Sequence, residues 1–124
     1  MSDYIVLAGR ILLAHIFILS GLTKLTGYAA MQGYMESKGL PSLLLPLVIA
    51  LELGGGLSLV VGWFTRWAAL ALAAFCVAAA LLFHFDFADQ MQAINFMKNL
   101  AITGGLLLLY VHGAGRLSVD ARRS

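Results

Sequence analysis

Four apolar runs organise this chain, each bounded by polar or turn-forming residues. They extend roughly over residues 4–22, 43–62, 67–83 and 96–112, and each holds at most one formal charge. A helix rises about 1.5 Å per residue, so crossing the hydrocarbon core takes about 20 apolar residues, with a range of about 17 to 25. The four runs meet that length. The pattern predicts an all-α, integral membrane four-helix bundle, a single transmembrane domain over residues 1–124.

Between the first two spans, residues 23–42 read differently. Lys24, Gln32, Glu36 and Lys38 alternate with Tyr28, Met31, Tyr34 and Met35, and the stretch ends at Gly39-Leu40-Pro41. An amphipathic segment of this kind is expected to lie at the membrane interface with its Tyr and Met side chains at the headgroup boundary. The other connections are short, residues 63–66 and 84–95. The start, Met1-Ser2-Asp3-Tyr4, has no basic n-region, and Arg10 interrupts any h-region, so the first helix is expected to be retained.

Composition agrees with a lipid solvent. The chain has 124 residues, 61% hydrophobic and 11% charged, with a mean hydropathy of +0.92. A soluble domain of this size needs many more charged residues to cover its surface. The net charge of +2 comes from scattered basic residues, which excludes a nucleic-acid surface. The single cysteine, Cys76, lies inside the third span, so neither an intrachain disulfide nor a C-x-x-C pair is available.

Basic residues near span ends resist translocation and therefore report orientation. Arg10, Arg66, Arg116, Arg122 and Arg123 fall on one side, and Lys24, Lys38 and Lys98 on the other. Both termini are thus expected inside, with Trp63, Trp67 and Tyr110 forming an aromatic belt at that edge.

Charges within the spans are the candidate chemistry. An Arg or Asp at mid-membrane costs about +2.5 to +3.5 kcal/mol even on permissive scales, so each such residue needs a partner or a purpose. Arg10 lies about 9 Å from the inner boundary and Glu52 about 15 Å, by helical rise. An Arg10–Glu52 ion pair facing the bundle interior is the expected central feature. Fixing helix register and forming a site are both open readings for it. His15 lies about 16 Å in, at a depth like that of Glu52. It serves either as a hydrogen-bonded packing residue or as a proton relay beside the carboxylate. Lys24, Lys98 and Asn99, with Asn95, form a basic, amide-rich outer mouth suited to an anionic or carbonyl-bearing ligand such as a quinone head.

His84, Asp86 and Asp89 are metal-ligand types at close spacing, but without a second histidine or an i, i+4 arrangement they imply no metal site. Gly54-Gly55-Gly56 beside Glu52 is expected to permit close helix approach.

Taken together, these residues resemble the DoxX family of small bacterial inner-membrane proteins. The resemblance runs through Arg10, Ser20-Gly21-Leu22-Thr23-Lys24-Leu25, Gly39-Leu40-Pro41, Glu52 with Gly55 and Gly62, Thr65-Arg66 and Asn99. It ends in Gly113-Ala114-Gly115-Arg116-Leu117-Ser118-Val119-Asp120. It implies a multi-pass protein of the bacterial inner membrane. Some relatives are subunits of a thiosulfate:quinone oxidoreductase, and others are linked to oxidative stress through partner proteins. Without paired cysteines, quinone contact or partner anchoring is what the resemblance carries over.

The expected function is therefore a non-catalytic subunit or anchor of a membrane redox or oxidative-stress system. Its intramembrane polar site would take a quinone- or lipid-like ligand. Two alternatives stand beside it, a small transporter and an interaction protein whose buried charges only secure the fold. No nucleophile–base pair or cofactor fingerprint marks an autonomous enzyme. Expected partners are the lipid bilayer, a redox partner protein and, through glycine-rich helix faces, a second copy of the chain.

Overall fold

The computed structural model of the chain describes residues 2–83 and 88–123. These form α1 (Ser2–Thr26), α2 (Tyr28–Ser37), α3 (Leu44–Val61), α4 (Thr65–Phe83), α5 (Gln90–His112) and α6 (Val119–Arg123). Among the described residues, α1, α3, α4 and α5 are the helices long and apolar enough to cross a membrane. The chain is a four-helix membrane bundle. Its outward faces carry leucines such as Leu12, 67% exposed, and Leu108, 62% exposed, a surface that lipid rather than water must cover.

Three helices exceed the apolar runs that predicted them, α4 by only two residues at its start. α1 continues four residues beyond Leu22 and includes Lys24. α5 begins at Gln90, where Asp89 Oδ1 accepts from Met91 N at 2.9 Å and caps the helix. Apolar length marks the buried middle of a span, whereas hydrogen-bonded caps set its ends. Asn95 and Asn99 are consequently helical. Of the three metal-ligand types near residue 86, Asp89 is this cap, and His84 and Asp86 lie outside the described residues.

α1 and α3 pack antiparallel. Their register can be read from neighbours: Arg10 reaches Val60, Gly56 lies against Ala14 and Ile18, and Gly21 lies against Leu53. A Cβ on Gly56 would meet Ile18 Cγ1 at 2.7 Å, so the glycine allows the close approach expected of it. α4 packs along α5, and the tight 62–64 turn joins α3 to α4. α1 and α5 touch at fewer points, one of them where Leu13 lies over Gly105. The inner half of the bundle is filled by Ala14, Leu59, Ala69, Leu72 and Leu106, all buried.

α2 lies over the outer ends of α3 and α4. Met35 is buried against Leu45 and Ile49, and the Tyr34 ring stacks on Phe83 with centroids 5.3 Å apart. Glu36 and Lys38 stay exposed, which gives the helix the two-faced character read from its sequence.

The tail returns to the beginning of α1, so both termini share one face of the bundle. We call it inner, following the bias of the basic residues. Trp63 and Trp67 are exposed near this edge, while Tyr110 packs partly against the core.

Candidate functional site

The interior holds two polar centres at different depths. The outer one joins α1 to α3. Lys24 Nζ donates to Glu52 Oε1 at 2.6 Å and to Ser20 Oγ at 2.7 Å. Ser20 and Lys24 are one helical turn apart and share a face, so the lysine folds back along α1 to reach the carboxylate. The Glu52 side chain is 3% exposed and that of Lys24 14%. A carboxylate at this depth requires a compensating cation, and Lys24 supplies it while its methylene stem covers apolar surface.

The inner centre is Arg10. Its Nη1 donates to Ala114 O at 2.9 Å, and its Nη2 to Leu117 O at 2.7 Å and Val60 O at 3.4 Å. The expected Arg10–Glu52 pair is therefore not formed. The antiparallel register explains this: Arg10 is level with Val60, eight residues from Glu52, or about 12 Å along the helix. Instead, the guanidinium charge meets carbonyl dipoles, including one in the last turn of α3, where the helix dipole is negative. Its Nε is buried without a hydrogen-bond partner among the described residues. Arg10 thus binds the tail to the bundle.

The same tail completes the α3–α4 turn. Gly62 ends α3 at φ +74°, and Phe64 follows at φ +49°, a conformation that costs a non-glycine residue energy. Asp120 offsets this by accepting from Phe64 N at 2.8 Å and Thr65 N at 2.9 Å, which caps α4 at its positive end. Asp120 N also donates to Gly62 O at 2.7 Å.

Around the outer centre lies a cavity of about 360 Å³. Its walls are largely apolar, with Phe17, Leu45, Val48, Phe75, Leu82 and Phe83 prominent, and Met31, Tyr34 and Met35 of α2 cover it. Ser20, Lys24, Glu52 and Asn99 give it one polar wall, and the Cys76 thiol also lines it. A compact apolar space with a few convergent polar groups is the usual form of a small-molecule site.

Of the residues singled out by sequence, the structure brings Lys24, Glu52 and Asn99 to this cavity. His15 is not among them: it is exposed on the outside of α1, with Nδ1 bonded to the Leu12 carbonyl of its own helix. Lys98 is also exposed and lines a separate outer groove with Asn95. Depth was a fair guide for these residues, but helix rotation decided which of them face inward. Ser20, Cys76 and the α2 cover escaped sequence reasoning, although the i, i+4 spacing of Ser20 and Lys24 carried a usable signal.

Comparison with known proteins agrees with this architecture. A family model described as DoxX matches residues 5–85. The inner membrane protein YqjF of Escherichia coli strain K12 is 49% identical over 120 residues, covering 97% of this chain and 92% of that protein. The inner membrane protein YphA of the same strain is 34% identical over 125 residues, covering 95% of this chain and 89% of that protein. No solved structure gives a significant match. With four membrane-spanning helices and these relatives, the chain is an inner-membrane protein and belongs to the DoxX family.

Proposed function

We propose that this chain is a membrane-embedded binding subunit that holds a quinone- or lipid-like molecule in the outer cavity and presents it to a partner redox system. The observation that carries this reading is the cavity itself, apolar on most sides and polar where Lys24, Glu52 and Asn99 converge. An ammonium group has three donors, and Lys24 uses two of them on Glu52 and Ser20. The third donor and the Asn99 amide suit a carbonyl oxygen, and the Glu52 carboxylate suits a hydroxyl on the reduced form of the same ligand. The volume falls in the range of about 300–1,000 Å³ typical of small-ligand pockets. It admits a head group and leaves a long tail to the bilayer.

A permeation pathway has less support, because the packed layer of Ala14, Leu59, Leu72 and Leu106 separates the cavity from the inner face. Arg10 belongs to the class of charges that secure the fold, since its bonds go to the tail and the end of α3.

Organic extraction of the purified protein, followed by titration with a short-chain ubiquinone analogue, tests the proposal. The expected result is retained quinone and saturable binding, weakened about tenfold or more by Glu52→Gln or Asn99→Leu through loss of buried polar partners. His15→Leu, on the exposed face, is the control and keeps the original affinity. Absence of both retained and bound quinone rules the reading out.

A further inference from the structure

We infer that the outer cavity communicates directly with the bilayer through the seam between α1 and α5, and that Ile16 and Ile102 form its gate. This deepens the binding reading above and rests on it for the ligand's chemistry.

Three observations carry the inference. Ile16, Asn99 and Ile102 line both the interior cavity and the outer groove beside Lys98, so these two spaces share a wall at the same three side chains. The α1–α5 seam is lightly packed along its length, whereas α1 with α3 and α4 with α5 are packed closely. Closure of the seam falls at its inner half, where a Cβ on Gly105 would lie 3.2 Å from Leu13. In the outer half, Ile16 is 43% exposed to the lipid side and still lines the cavity. A side chain that touches both the bilayer and an interior space needs only a rotamer change to connect them.

The chemistry along this route is graded. Lys98 sits at the outside of the groove, Asn99 at the gate, and Lys24 with Glu52 within. An oxygen-bearing head group passing inward meets a cation, then an amide, then the buried pair, while its apolar tail stays between the helices. The ligand class is thereby narrowed to a lipid-dissolved amphiphile that enters sideways from the outer leaflet. A water-borne solute would instead have to pass the α2 cover of Met31, Tyr34 and Met35.

Cys76, the chain's single cysteine, lines the cavity and is buried, so its labelling rate reports access without any knowledge of the ligand. The full chain is reconstituted in phosphatidylethanolamine–phosphatidylglycerol vesicles and labelled with lipid-soluble pyrenylmaleimide or with a charged, water-soluble thiol reagent. Cys76→Ser sets the background. Pyrenylmaleimide is expected to label Cys76 faster than the charged reagent. Ile16→Ala with Ile102→Ala should raise that rate, and Ile16→Trp with Ile102→Trp should lower it about tenfold, as gating residues do. Leu12→Ala, on the lipid-facing surface of α1 away from the cavity, should leave it unchanged, and Met31→Ala, in the α2 cover, should raise it less than the Ala seam pair does. The opposite direction of the Ala and Trp pairs keeps the result readable if either pair folds poorly. The gate is overturned if the rate ignores both seam pairs, or if it follows Met31→Ala and the charged reagent instead. Failure of quinone titration alongside seam-dependent labelling would remove the quinone reading and leave the gate standing.

Discussion

Lys24 and Glu52, 28 positions apart in sequence, meet at 2.6 Å between antiparallel helices, the lysine turning back along α1 to neutralise a carboxylate 3% exposed. Each therefore depends on the other for its tolerance of a membrane interior.

Removing one partner should cost more than removing both. Glu52→Ala leaves a partly buried ammonium, and its cost should fall toward the low end of about 3–5 kcal/mol, because Lys24 can still reach toward the headgroups. The pair Glu52→Leu with Lys24→Met should recover most of the thermal stability in detergent while abolishing quinone retention. Thermal unfolding of Glu52→Leu, Lys24→Met and the pair, set against the unsubstituted protein in a double-mutant cycle, gives the coupling.

Arg10 tests a different kind of anchor. Arg10→Ala removes three carbonyl contacts, and hydrogen bonds to a charged group contribute about 1.5–3 kcal/mol each, so a loss of about 3 kcal/mol or more is expected. Arg10→Lys should rescue little, because a point ammonium lacks the planar fork that reaches Ala114 and Leu117 together. Hydrogen exchange is the readout: protection over residues 113–123 should fall in both variants while α4 and α5 keep theirs.

Asp120 caps α4 from the far end of the chain. Asp120→Ala should destabilise by about 1–2 kcal/mol, as loss of an N-cap does. Asp120→Asn should fall between, since its single acceptor oxygen replaces two. A fall in the unfolding temperature graded in that order supports the cap, and equal temperatures for all three proteins would refute it.

Three glycines on or next to α3 should respond very differently to alanine. Gly62→Ala faces left-handed strain of about 1–2 kcal/mol and a Cβ 2.3 Å from Ser118 Cβ, so it should be the most damaging. Gly56→Ala presses on Ile18 and should cost about 1–3 kcal/mol by overpacking. At Gly54 a Cβ meets nothing within 4 Å, and alanine there should gain up to about 1 kcal/mol of helix propensity. Parallel thermal melts decide the ranking.

How much of the site was legible follows from what each sequence signal measures. Glu52 stood out because charge in an apolar run is costly, and Lys24, Lys98 and Asn99 because they gather basic and amide groups at the outer ends of the first and fourth spans. Their grouping toward the outer end was legible, but the direct Lys24–Glu52 contact was not. His15, at the depth of Glu52, and Arg10, a few residues shallower, both looked like its partners, yet the α1–α3 register set Arg10 about two turns from Glu52 and the rotation of α1 turned His15 outward. Cys76 was read only as an unpaired thiol, because its position on the cavity wall depends on how α4 rotates against α5.

The sequence by itself determined that this is an α-helical membrane protein of four spans with its termini on one side. Helix length and apolar content are properties of contiguous residues, and an even number of crossings follows from counting them. Only the tertiary structure decided that Lys24 rather than Arg10 neutralises Glu52, that the tail caps α4 through Asp120, and that α2 covers a cavity. Those contacts join residues distant in the chain through helix register and rotation, which the side-chain packing of the whole bundle fixes at once.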